Sequence, residues 1–126
     1  MWVGSHLEPD MTRALLSLVA LCLLAPAAAA RDAGCRIEQA GRVVLDRTCD
    51  FAPDGRDGSF TLSPRGGGQG MLFGSIAMVS ISVIEPGLAE VRGLTRDGIN
   101  SRWGTARRSQ RDGACWQGDD FRICAR

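Results

Sequence analysis

The residues best equipped for chemistry are four cysteines (Cys35, Cys49, Cys115 and Cys124), three clustered carboxylates (Asp50, Asp54 and Asp57) and an arginine-rich carboxy-terminal stretch holding Trp103 and Trp116. Each set has a demanding use and a plain one. A cysteine or serine nucleophile needs a base, usually histidine, within hydrogen-bond reach. The only histidine is His6, and the chain has neither lysine nor tyrosine. Schiff-base chemistry and histidine-held metals are therefore not expected. Structural zinc prefers close-spaced ligand pairs such as CxxC, and none occurs. Disulfides are the expected state of the four cysteines. The spacing favours neighbours, Cys35 with Cys49 and Cys115 with Cys124.

The second pairing follows from hairpin geometry. With Asp119-Asp120 at the tip, counting back from Gly118 and forward from Phe121 sets Cys115 opposite Cys124. That rung is a non-hydrogen-bonded pair, where two antiparallel backbones come closest and a disulfide can bridge them. The same register sets Trp116 opposite Ile123, with Phe121 on their apolar face, and places the disulfide and Arg122 on the other. Each bridge closes a short loop and is expected to stabilise by about 2–3 kcal/mol.

The carboxylates could serve as a glycosidase-like acid pair or as calcium ligands. Their context is plainer: Asp54-Gly55 and Asp57-Gly58 are turn dipeptides, and the spacing matches no standard calcium loop. Arg96, Arg102, Arg107, Arg108, Arg111, Arg122 and Arg126 crowd the last stretch against four aspartates. Setting aside Arg13, Glu8 and Asp10, 14 arginines face 12 acids. So small an excess does not point to nucleic acid. Trp103, Arg107, Arg108 and Trp116 are the candidate binding surface, because tryptophan and arginine dominate binding hot spots. For Trp116, packing against Ile123 competes with that role. No cofactor is expected.

The elements that must position these residues begin with a processing signal. Arg13 gives a positive head, Ala14 to Leu24 an apolar core, and Ala28-Ala29-Ala30 small residues before polar Arg31-Asp32. That order is a secretory signal, cleaved after Ala30 and taking Cys22 with it. A spanning helix needs about 20 apolar residues, more than this run supplies, so the processed chain is not expected to span a membrane. Glu8 and Asp10 sit badly in a signal head, which favours a start at Met11 over one at Met1 with a long, poorly formed head. Residues 31–126 then form one domain in the periplasm or outside the cell, an oxidising space that suits disulfides.

That domain reads as short strands divided by turns, with no convincing helical periodicity. Arg36-Ile37-Glu38 and Val43-Val44-Leu45 flank an Ala40-Gly41 turn. Ser59 to Ser63 is a strand with Phe60 and Leu62 on one side. Pro64 to Gly70 is a glycine-rich loop lacking the strand, helix and lysine context of a phosphate cradle. Met71 to Ile84 is the most apolar stretch, one strand or two meeting near Gly74-Ser75, with Ala77, Val79, Ile81 and Val83 facing inward. Glu85-Pro86-Gly87 ends it. Leu88 to Thr95 is a further strand, and Ile99 to Gln110 resists assignment. The expected fold is all-β, a small antiparallel sandwich or barrel with two disulfides, closed by the final hairpin.

The frame Cys35-Arg36-Ile37, Gly41, Leu45, Cys49-Asp50-Phe51, Asp57-Gly58-Ser59-Phe60, and the ending Arg111-Asp112-Gly113-Ala114-Cys115-Trp116 with Ile123-Cys124-Ala125, resembles a group of small exported proteins of Gram-negative bacteria, chiefly alphaproteobacteria. The resemblance covers nearly all of residues 35–126. It implies export and disulfides and no particular activity. The chain departs from it at Ala89-Glu90-Val91-Arg92-Gly93, where the group tends to carry a tryptophan-containing stretch.

Together these features predict a non-enzymatic interaction module of the periplasm or exterior, whose partner is an envelope protein or an anionic glycan or lipid headgroup. An inhibitor of an envelope-directed hydrolase, resembling lysozyme inhibitors, is the alternative. A carboxylate-dependent hydrolase is the remaining one.

Overall fold

A computed structural model describes residues 30–67 and 69–126. The expected signal peptide, its cleavage site and the start at Met11 lie outside the described residues, apart from Ala30 itself. The domain is an eight-stranded antiparallel barrel: β1 (Arg31–Gln39), β2 (Arg42–Pro53), β3 (Phe60–Pro64), β4 (Ile76–Glu85), β5 (Leu88–Thr95), β6 (Asn100–Arg108), β7 (Cys115–Gln117) and β8 (Phe121–Ala125). Each strand pairs with the next, and β8 returns to β1 to close the ring. Closure removes the exposed edges that a small open sheet would present. Among the described residues no helix is long and apolar enough to cross a membrane.

The core follows the pleat. Ala33, Cys35 and Ile37 of β1 face inward in alternation, and Ile37 lies between Leu45 and Ile123. Phe60, Ile81 and Val91 form one row across β3, β4 and β5, and Leu62 pairs with Val79 beside it. All of these side chains are buried.

Turn chemistry sets the register of the first hairpin. Ala40 and Gly41 both take left-handed conformations, with φ of 49° and 77°. That is the mirror-image turn whose twist matches paired strands.

The two disulfides are Cys35–Cys49 and Cys115–Cys124, as the spacing indicates. They differ in place. Cys115 stands directly opposite Cys124 with a Cα–Cα distance of 4.0 Å, in the register that also pairs Trp116 with Ile123. Cys35 faces Arg47 and Cys49 faces Ala33, so the first bridge runs diagonally, over 5.8 Å, within the apolar core.

Two expectations need correction. Met71 to Ser75 is not strand: β4 begins at Ile76, and a lone bridge from Phe73 to Ile76 folds the preceding loop back. Leu72 is nonetheless only 1% exposed, so the apolarity of this segment reports burial of a loop. Ala77 does not join the inward row either. A register shift between Ile76 and Met78 makes Ala77 the extra residue, and Ile76 packs on the core instead. Val79 and Ile81 are fully buried as expected, with Val83 half-buried against them.

Candidate functional site: the open end of the barrel

The up-and-down order gives the barrel two unlike ends. One carries the β1–β2, β3–β4, β5–β6 and β7–β8 connections. There the β3–β4 loop sends Leu72 and Phe73 into the core. Trp103 packs edge-on to Phe73 and to Phe121, at centroid distances of 6.1 and 5.6 Å. Trp103 occupies a register shift in β6 and lies over Gly93, where an added Cβ would sit 2.8 Å from its indole nitrogen. Arg47 donates to the carbonyls of Met71 and Leu72 at 3.0 and 2.8 Å and ties the loop down.

The other end carries residue 31, the carboxy-terminus and the β2–β3, β4–β5 and β6–β7 connections. Two clefts open there and share Gly58, Arg108 and Trp116 as walls. The larger, about 550 Å³, is bounded by Asp57, Val83, Ile84, Glu85 and Pro86. Ile84 on its wall is 58% exposed. The smaller, about 250 Å³, is lined by Arg31, Phe51 and Phe60 with the Gly113-Ala114 backbone.

Two arginines lie on aromatic rings at this smaller cleft. The Arg31 guanidinium sits 4.5 Å from the centre of Phe51, which itself stacks on Phe60 at 4.6 Å. The Arg108 guanidinium sits 5.8 Å from the Trp116 ring, and its Nε donates to the Gly113 carbonyl at 2.8 Å. Stacking occupies the flat face of a guanidinium and leaves its N–H edge available for a planar oxyanion. Neither arginine forms an ion pair with a carboxylate among the described residues. No carboxylate lines the smaller cleft.

Two carboxylates near this end titrate below the ordinary aspartate range. The Ser59 backbone N–H, which donates to Asp57 at 2.9 Å, lowers Asp57, with the Ser59 side chain adding to the effect. Asp112 is lowered chiefly by a two-pronged pairing with Arg126, then by the Ala114 N–H. Both stay charged at neutral pH.

Of the candidate surface residues, the structure brings Arg108 and Trp116 together. Trp116 is a core side chain, 4% exposed, whose ring is presented beneath Arg108. Trp103 is half-buried at the opposite end, and Arg107 is exposed on β6, paired across to Gln117. The three aspartates of the sequence cluster also part. Asp50 accepts from the Gly66 and Gly67 amides of the β3–β4 loop, Asp54 from the Thr61 hydroxyl, and Asp57 from Ser59. Among the described residues no three histidine, cysteine or carboxylate groups gather as a metal site.

Arg31, Phe51 and Phe60 lie outside the candidate surface expected from the sequence. A signal existed: Phe51 follows Cys49 by two and so shares its inward face, and Phe60 begins the strand paired to it. No family model, curated protein or solved structure matches this chain.

Proposed function

We propose that this protein is a non-enzymatic binding module of the periplasm or cell exterior, and that it seats its ligand at the open end of the barrel. One observation carries the reading: two adjacent clefts at this end share Arg108 and Trp116 as walls, and Arg31 and Arg108 lie on aromatic rings beside them without a carboxylate partner among the described residues. Two disulfides in so small a domain support an oxidising compartment. So does the export pattern of residues 11–30, together with the resemblance to small exported proteins. Catalysis by Asp50, Asp54 and Asp57 has less support, because each carboxylate is engaged by a different local donor.

The test starts from the full chain, expressed and recovered from the periplasm. Mass spectrometry is expected to find Arg31 as the first residue and no free thiol. The immobilised protein is then offered solubilised membrane, soluble periplasm and peptidoglycan separately. One fraction should be retained by the parent and by Val43→Ser at the closed end, and lost by Phe51→Ala. No retention from any fraction, or equal retention by all three proteins, would sink the proposal.

A further inference from the structure

The open end also points to the chemistry of what it binds. Resting on the binding-module reading, we infer that the smaller cleft is an oxyanion site. Arg31 and Arg108 fork a single carboxylate or phosphate carried on a small organic body.

Four features converge. The Arg108 guanidinium is held in place before any ligand arrives, by the Trp116 ring beneath it and by the bond from Nε to the Gly113 carbonyl. Its two terminal nitrogens remain for a ligand, in the parallel geometry that matches a carboxylate or phosphate edge. Among the described residues Arg31 rests on Phe51 and makes no side-chain hydrogen bond. Both arginines line the same cleft, and no acid among the described residues lines it. An unpaired pair of like charges at one small opening is a standing attraction for an anion.

Size narrows the class. A cleft of about 250 Å³ falls just below the range typical of drug-sized ligands, roughly 300–1,000 Å³. It suits one charged group and a body of monosaccharide size. The flanking larger cleft holds Asp57 and Glu85, so a second negative charge on the ligand would be repelled on that side. A ligand with one anionic group is favoured over a dense polyanion.

The test uses ¹⁵N-labelled protein recovered from the periplasm after expression of the full chain. It follows the Trp116 indole and Arg108 Nε–H resonances during titration. The probes are D-glucuronate, glucose 6-phosphate, inorganic phosphate and neutral glucose. Glucuronate or glucose 6-phosphate should shift both resonances saturably, with affinity falling as sodium chloride rises. The stronger of the two identifies carboxylate or phosphate as the natural group.

Arg31→Gln should weaken binding by roughly tenfold or more, the usual effect of losing a hydrogen bond to a charged group. Arg42→Gln removes the same charge at the opposite end of the barrel and should leave affinity unchanged. Arg108→Gln also frees Gly113, so Arg31→Gln is the decisive variant. Equal shifts with glucose, equal loss in Arg42→Gln, or no shift with any anion would overturn the oxyanion site. If an envelope fraction is still retained through Phe51 while none of these anions competes for it, only this inference fails. If nothing is retained at all, the binding-module reading fails with it.

Discussion

Each end of this barrel carries an arginine and a tryptophan, and the two ends spend them differently. At the closed end Arg47 gives its guanidinium to two backbone carbonyls of the β3–β4 loop, and Trp103 is wedged between Phe73 and Phe121. At the open end Arg108 uses one N–H on Gly113 and its flat face on Trp116, and the rest of its donors stay in solvent. The difference comes from the loops. The β3–β4 connection is long enough to fold Leu72 and Phe73 back into the core, whereas the β4–β5 connection is only Pro86-Gly87 and cannot cover anything. The lesson is that a charged residue's role is set by whether its donors are already satisfied. Arg47 is a strut, and Arg108 is a hand left open.

The largest loss is expected where the β3–β4 loop enters the core. Leu72→Ala should destabilise the protein by about 3 kcal/mol or more, as for other buried leucines that leave a cavity. Phe51→Ala, half-buried at the open end, should cost about half as much. Urea denaturation measures both, and equal losses would mean that the two ends are packed alike. Next comes the arginine pair. Arg47→Met abandons two carbonyls and should cost about 2 kcal/mol, whereas Arg108→Met should cost only about 0.5 kcal/mol. Ligand binding should show the reverse order, with Arg108→Met the more damaging.

A smaller effect is expected at the hairpin turn of the closed end. Ala40 is exposed and held at φ 49°, a conformation that penalises alanine and suits asparagine. Ala40→Asn should raise stability by about 0.5 kcal/mol without touching the open end, read as a higher denaturation midpoint at unchanged slope. The smallest effect concerns pH. Asp57 and Asp112, both in loops of the open end, have folded-state pKa values lowered by their partners. Their contribution is therefore complete above the ordinary aspartate range and lost as pH falls through the lowered values. Acidification should loosen residues 54–59 and 109–114 first, seen as faster amide exchange there than in residues 65–75. Asp112→Asn should bring the loosening of 109–114 to neutral pH.

Much of the scaffold could be read locally. Alternation placed Val79 and Ile81 inside and set Phe60 and Leu62 on one side of their strand, and the Asp119-Asp120 tip set Cys115 against Cys124. What failed was equally local in form. The apolar run from Met71 looked like strand because burial, not extension, was its cause, and the register shift at Ala77 leaves no mark in an alternating pattern. The candidate surface was partly legible. Arg108 and Trp116 do meet, while Trp103, of the same residue type and nearby in sequence, faces the opposite end.

The amino-acid order alone determined most of the strands and turns and both cross-links, because pleat and turn preferences act over only a few residues. Barrel closure decided the rest. Joining β8 to β1 brings Arg31, Phe51 and Arg108 to one opening although they are far apart along the chain, and the β3–β4 loop sends Leu72 into the other. Such meetings depend on long-range pairing and on which loop is long enough to fold inward, and neither is encoded in any short window of sequence.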